Sequence, residues 1–409
     1  NDFDVQLQSA PAYSASVRTF GEISTAPFSA SAYAADPQGF ARNPICSGPY
    51  VLTHPYHQGD RTIELERNEN YRAINTGYTR GGAGWADRLV FRIYPNEDAA
   101  YRAFDKGEVD IAALPASQFH RPHLPSDQLV KASPTQVVYL GFANREEYQN
   151  TPAYRRGWSQ LIDRERLVSD VFGISGQVAD GFFPPALTVT EGFANRMDQA
   201  GLEMPTCALP AYDPAAGKAA LADFLASDPP ALPDVIGVSG SEAGSGKANI
   251  VTAVTRAWQD GLDFDRAFPY PVDADELGDT LAMPGGVWSS FEMSYSATAL
   301  APVAMFNDPQ PYARALFSRD GLAWGTNPGN FVDGGFDYQL SERFGANDDP
   351  VTRQQALNQM GAILCDQLPM LPLAYVSDVW AINTAELASA REVMTSHDGL
   401  PLLRELYRK

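Results

Sequence analysis

From Thr62 to Ile111 the hydrophobic period of the chain changes twice, and the order of those periods restricts the fold more than any other feature. Thr62 to Leu65 alternates polar and apolar side chains, and Leu89 to Ile93 is mostly apolar and β-prone, so both read as strands. Asn96 to Lys106 then sets Ala99, Ala100, Ala103 and Phe104 at helical spacing and stops at Gly107, a residue suited to ending a helix. Asp110 and Ile111 return to extended chain. Strand, helix, strand is the order expected of an α/β layer, a mixed sheet covered by helices. Glu108 and Asp110 read as a turn and a strand start, with no catalytic role.

Length and charge narrow the classes of function. With 409 residues and 44% hydrophobic content the chain can bury large cores, and two or three domains are expected. A net charge of -20 and a pI near 4.6 argue against nucleic acid or an anionic membrane as partner, since both need a basic footprint. Distributed carboxylates serve solubility without any partner. No run approaches the length of apolar residues that spans a bilayer, and Asn1 to Ala12 lacks the basic start and apolar stretch of a secretory signal.

Several constellations suggest chemistry and fail on its requirements. Ser241 to Ala248, SEAGSGKA, has Ser241 where a phosphate loop needs glycine and Ala248 where it needs a magnesium-binding hydroxyl. It reads as a loop before a helix from Ala248 to Gln259. Ser239, in GVSGS, misses the final glycine of a nucleophile elbow. No pair of carboxylates is marked for acid and base work, so no catalytic set and no cofactor are expected. His54 and His57 in HPYH, and His120 and His123 in HRPH, have spacings at which two imidazoles meet one ion on a helical turn. Pro55 and Pro122 inside the pairs disfavour that turn, and with His397 these read as surface histidines with no metal site. Cys46, Cys207 and Cys365 show no CxxC spacing; one disulfide with a leftover thiol, or three unpaired thiols, both remain open.

Ordered blocks along the chain resemble the extracytoplasmic solute-binding proteins of family 5, which serve ABC importers of dipeptides, oligopeptides and nickel. The first runs through Gly48, Pro49 and Tyr50; Glu66, Arg67, Asn68 and Tyr71; Val90 to Ile93; and Gly107 to Ile111. A second begins with the strand Val137 to Asn144 and continues through Arg155, Arg156, Ile162 to Glu165, and Pro184 and Pro185. Tyr212, Asp213 and Pro214, then Phe336 and Asp337, and finally Leu357 to Leu373 match further blocks.

The resemblance implies an α/β protein with the two-lobed periplasmic-binding-protein fold of the class II type, mixed sheets flanked by helices and a hinge between lobes. Lobe I would hold residues 1–134 and the return 378–409; lobe II would hold 135–377. The hinge is expected at Lys131 to Val138 and Tyr375 to Trp380. Family members carry more chain before the Gly-Pro-Tyr block, so lobe I is read as partial, lacking N-terminal strands and a subdomain. The stretch DFDVQLQSAPAYSASVRTF resembles the end of that portion. Cys207 with Cys365 is the preferred disulfide, because both fall in the implied second lobe. The implied function is capture of a ligand by lobe closure and delivery to a membrane permease of an ABC importer. The protein is expected to be extracytoplasmic, a periplasmic protein or cell-surface lipoprotein, and monomeric.

An oligopeptide leads as ligand, with a nickel or other metal chelate, a haem-like molecule or a saccharide as alternatives. A non-transport sensor or interaction module is the reading from another class. In the peptide-binding branch an aspartate follows the strand that corresponds here to Ser290 to Val303, and it receives the peptide's ammonium group. In this chain Ser296, Ala297, Thr298, Ala299, Leu300 and Ala301 occupy that region, and Asp308, a few residues on, is the candidate substitute. Trp288, Tyr295, Phe306, Tyr312, Trp324, Asn327, Asn330 and Phe331 supply the aromatic walls and amides suited to a cleft. Tyr295, Trp324 and Asn330 sit among glycines and prolines in expected loops and lead that set, and with Asn327, Phe331 and Asp308 they make six residues expected to contact ligand. Trp288 and Phe306 also read as core.

Overall fold

The computed structural model describes residues 28–45, 48–71, 86–142, 151–187, 202–226, 236–241, 250–262, 267–272, 294–300 and 308–387, apart from 325, 328, 348 and 386. The expectations for residues 2–20, Cys46, Trp288, Phe306 and His397 lie outside them. Among the described residues, Ser133–Ser377 belong to one compact unit, and residues 28–132 together with 378–387 belong to another.

The Ser133–Ser377 unit is built on a six-stranded mixed sheet in the order β7-β11-β6-β10-β8-β9. Its strands are β6 (Gln136–Phe142), β7 (Gly176–Val178), β8 (Ile236–Ser241), β9 (Ala267–Val272), β10 (Ser294–Leu300) and β11 (Met370–Val376). Every residue of β6, QVVYLGF, is buried, as its nearly continuous apolar run requires of a strand covered on both faces. It pairs antiparallel with β10 and β11, whereas β10, β8 and β9 run parallel. Pro372 lies within β11 where the register shifts, a position at which the ladder tolerates a residue without an N–H.

Four helices of this unit start where a short polar residue precedes proline. Thr151, Asp213, Asp308 and Asp349 each accept a hydrogen bond from a backbone N–H of the first turn, and Pro152, Pro214, Pro309 and Pro350 follow them. A side-chain acceptor at the cap and a proline in the first turn together satisfy the helix start. In the Ile250–Leu262 helix, Ile250, Val254, Trp258 and Leu262 recur every fourth position and are buried. Trp258 packs on Trp158 with ring centroids 4.6 Å apart and donates from Nε1 to the Trp158 carbonyl at 3.2 Å. The expected helix start at Ala248 lies outside the described residues, and the described helix extends past Gln259 to Leu262.

The other unit contains two three-stranded antiparallel sheets, β1-β2-β3 and β4-β12-β5. Their strands are β1 (Tyr50–Leu52), β2 (Thr62–Arg67), β3 (Arg88–Arg92), β4 (Ile111–Ala113), β5 (Leu129–Lys131) and β12 (Val379–Ile382). The predicted helix is Glu97–Asp105, capped by the Asn96 side chain. At its end Gly107 takes a φ of +72°, its N–H donates to the Phe104 carbonyl, and the Glu108 N–H donates to Ala103. This is the Schellman arrangement, which needs a residue at ease in the left-handed region. One expectation is corrected: β3 and β4 flank the helix in sequence but enter different sheets, because β4 pairs with β12 from the far end of the chain.

Candidate functional site

Six residues were singled out for ligand contact, and their surroundings divide them. Asp308 is 1% exposed and caps the Pro309–Phe317 helix, accepting from the Gln310 N–H at 2.8 Å through Oδ1. Its Oδ2 accepts from Arg353 Nη2 at 2.5 Å. Arg353, 4% exposed, also lies with Cζ 3.9 Å from the centroid of the Phe344 ring. A buried carboxylate held this way compensates an internal cation.

Asn327 is likewise interior, at 3% exposure. Its side-chain amide donates to the Ser318 carbonyl at 3.1 Å and the Phe331 carbonyl at 2.7 Å, and its Oδ1 accepts from the Phe331 N–H at 3.3 Å. Phe331 is buried against Phe336, with ring centroids 6.0 Å apart. The described partners of Asp308, Asn327 and Phe331 are internal: a helix N-terminus and a guanidinium, backbone carbonyls, and a phenyl ring. Composition alone does not separate these cases, because a buried amide closing a turn and an amide facing a ligand are the same residue type.

Trp324 differs from them, being 57% exposed at the end of the helix Arg319–Trp324 and not in a loop as expected. Asn330 is half-buried with a φ of +47°, a left-handed conformation that asparagine adopts more readily than most residues. Tyr295 lies on β10, not in a loop, beside the register shift between Tyr295 and Ala297. Tyr312 belongs to the core: its hydroxyl donates to Tyr139 Oη at 3.1 Å, and Tyr139 donates onward to the Phe182 carbonyl. Burial pushes both phenols above their ordinary range. Tyr375, whose hydroxyl donates to Asp180 Oδ1 at 3.0 Å, is raised by burial too.

Two arginines of the second resemblance block hold one helix end. Arg155 donates to the carbonyls of Leu368 and Gln367, and Arg156 to those of Cys365 and Asp366, so the C-terminus of Pro350–Gln367 receives four charged hydrogen bonds. Cys207 and Cys365 form a disulfide with Cα atoms 5.7 Å apart. Sequence reasoning missed Arg353 altogether; the only available signal was the rarity of a lone arginine on the inward side of a helix. His54, His57, His120 and His123 are exposed, and no group of three or more His, Cys, Asp or Glu suited to a metal occurs among the described residues. Ser239 sits inside β8, paired with Thr298 and Tyr270.

Residues 1–263 match the family model described as bacterial extracellular solute-binding proteins, family 5, middle. Among curated proteins, the chain is 25% identical over 139 residues to the oligopeptide-binding protein AppA of Bacillus subtilis, covering 34% of this chain and 24% of that one. It is 22% identical over 356 residues to the probable ABC transporter periplasmic-binding protein SapA of Escherichia coli, covering 81% of this chain and 55% of that one. The chain thus spans about a quarter to about half the length of these relatives. Among solved structures, it is similar to the ABC transporter-associated periplasmic binding protein DppA of Helicobacter pylori in complex with the peptide STSA. That similarity has a TM-score of 0.66 at 16% identity, covering 97% of this chain and 70% of that one. The fold is therefore α/β, of the two-lobed periplasmic-binding-protein kind, with mixed sheets flanked by helices.

Proposed function

Because this chain belongs to the bacterial extracellular solute-binding proteins of family 5, we propose that it is the substrate-binding part of an ABC importer that captures an oligopeptide outside the cytoplasm. Family membership carries this reading. The peptide is favoured over other ligands because AppA is an oligopeptide-binding protein and the Helicobacter pylori DppA was solved with a peptide. Capture would proceed by lobe closure, driven only by the ligand's higher affinity for the closed state, and a membrane permease would receive the load. No covalent bond is made or broken in such a cycle. The partners are a peptide and the permease, and the protein acts as a monomer in the periplasm or at the cell surface. No helix among the described residues is long and apolar enough to cross a membrane.

Of the six candidates, Trp324, Asn330 and Tyr295 are the proposed ligand contacts. The Trp324 indole supports this most, since a large apolar side chain left 57% exposed on a well-anchored helix gains little for the core. Native mass spectrometry of the mature protein purified from its host, followed by denaturation and identification of the released molecules, tests the proposal. A ladder of co-purified peptides is the expected result. A single non-peptide mass or a metal would replace it with a specialised binder.

A further inference from the structure

The two outer strands of the six-stranded sheet differ in length. At one end β7 has only three residues, and Gly176 lies so close to the Arg164–Phe172 helix that a Cβ there would be 2.5 Å from Phe172 Cβ. At the other end β9 pairs with β8 alone among the described residues, in unbroken register from Ala267 opposite Ile236 to Val272 opposite Ser241. An edge of that length ordinarily offers its outer N–H and C=O groups to any extended chain.

The sequence of β9 is Ala267, Phe268, Pro269, Tyr270, Pro271, Val272. Along a strand, successive residues turn their backbone N–H and C=O groups to opposite sides, so one alternate set faces β8 and the other faces outward. Proline has no N–H to give to a ladder. Pro269 and Pro271 fall in the same alternate set, so the register with β8 is carried by the N–H groups of Phe268, Tyr270 and Val272. The two prolines therefore take outward positions, the placement at which a strand tolerates them. Of the three outward residues, Ala267, Pro269 and Pro271, only Ala267 keeps a donor.

We infer that Pro269 and Pro271 guard this edge against strand addition, by a second copy of the chain or by any other extended segment. Their spacing matches the strand period, so two residues strip most of the outward donors and leave the β8 ladder whole. The guard acts on pairing between chains and is independent of the bound ligand.

Replacing both prolines, Pro269→Val with Pro271→Val, restores the donors on a strand-forming sequence and tests the inference. The double variant should keep the far-ultraviolet circular dichroism of the wild type. In sedimentation velocity it should form oligomers that grow with concentration, with an infrared band of intermolecular β-sheet, where the wild type sediments as one species. Ala267→Val, which adds apolar area on the same alternate set and no donor, should stay a single species. A valine double variant as monodisperse as the wild type overturns the guard, as does equal association of Ala267→Val or of the wild type itself. Should the double variant fail to fold, hydrogen exchange of the wild type decides the matter. The amides of Phe268, Tyr270 and Val272 should exchange about tenfold or more slowly than that of Ala267, and equal protection overturns the outward placement of the prolines.

Discussion

Asp308 has two internal calls on its carboxylate, the N-terminus of one helix and the guanidinium of Arg353 from another. Both groups are almost wholly buried, so removing the negative charge strands a cation in the interior. Asp308→Asn should therefore destabilise the protein by roughly 3–5 kcal/mol, read as a lowered urea midpoint. Lost peptide affinity at unchanged stability would instead restore Asp308 to the ligand site. The buried phenols of Tyr139, Tyr312 and Tyr375 make a second prediction at this scale. Burial raises all three, so the folded protein keeps their protons at pH values where the unfolded chain releases them. The unfolded state then binds fewer protons, and stability falls as pH rises past the ordinary tyrosine value of about 10. Tyr312→Phe should flatten that fall in urea titrations run across the alkaline range.

At the scale of elements, the ends of the Glu97–Asp105 helix were readable in the sequence and the distant partners of other helices were not. Asn96 and Gly107 mark the ends of the Glu97–Asp105 helix because capping is local: the donor and acceptor are at most a few residues apart. The Pro350–Gln367 helix shows the opposite case. Leu368 at its end takes a φ of +46°, and the carbonyls there are satisfied by Arg155 and Arg156 from a helix more than two hundred positions earlier. Those arginines were noted as part of a family block, yet nothing local indicated what they hold. Arg155→Ala should cost about 3 kcal/mol or more, since it removes two charge-assisted bonds to carbonyls in a buried setting. Thermal unfolding checks this; a change below about 1 kcal/mol would mean that water replaces the guanidinium.

For the whole molecule, the Cys207–Cys365 disulfide joins residues 158 positions apart within the Ser133–Ser377 unit. It binds the segment around Pro205 to the Pro350–Gln367 helix, where Gly361 leaves the room that Pro205 fills: a Cβ on Gly361 would lie 2.6 Å from the proline ring. Glu203 adds two backbone hydrogen bonds to the Gln354 side chain. Replacing both cysteines by serine should lower stability by roughly 2–5 kcal/mol while leaving the far-ultraviolet circular dichroism of the folded protein unchanged. A loss of helical signal in the double variant would show that the clamp is needed for the helix itself.

The sequence by itself determined the α/β class, the helix end at Gly107 and the family, because period, capping and block order are local or strictly ordered along the chain. It did not determine that β3 and β4 part into different sheets, nor that β6 lies between β10 and β11. Nor did it show that Asp308 and Asn327 face inward while Trp324 faces out. Those outcomes were decided by the tertiary structure alone, since strand pairing and burial depend on residues brought together from hundreds of positions apart, and a side chain's role follows from which of them it meets.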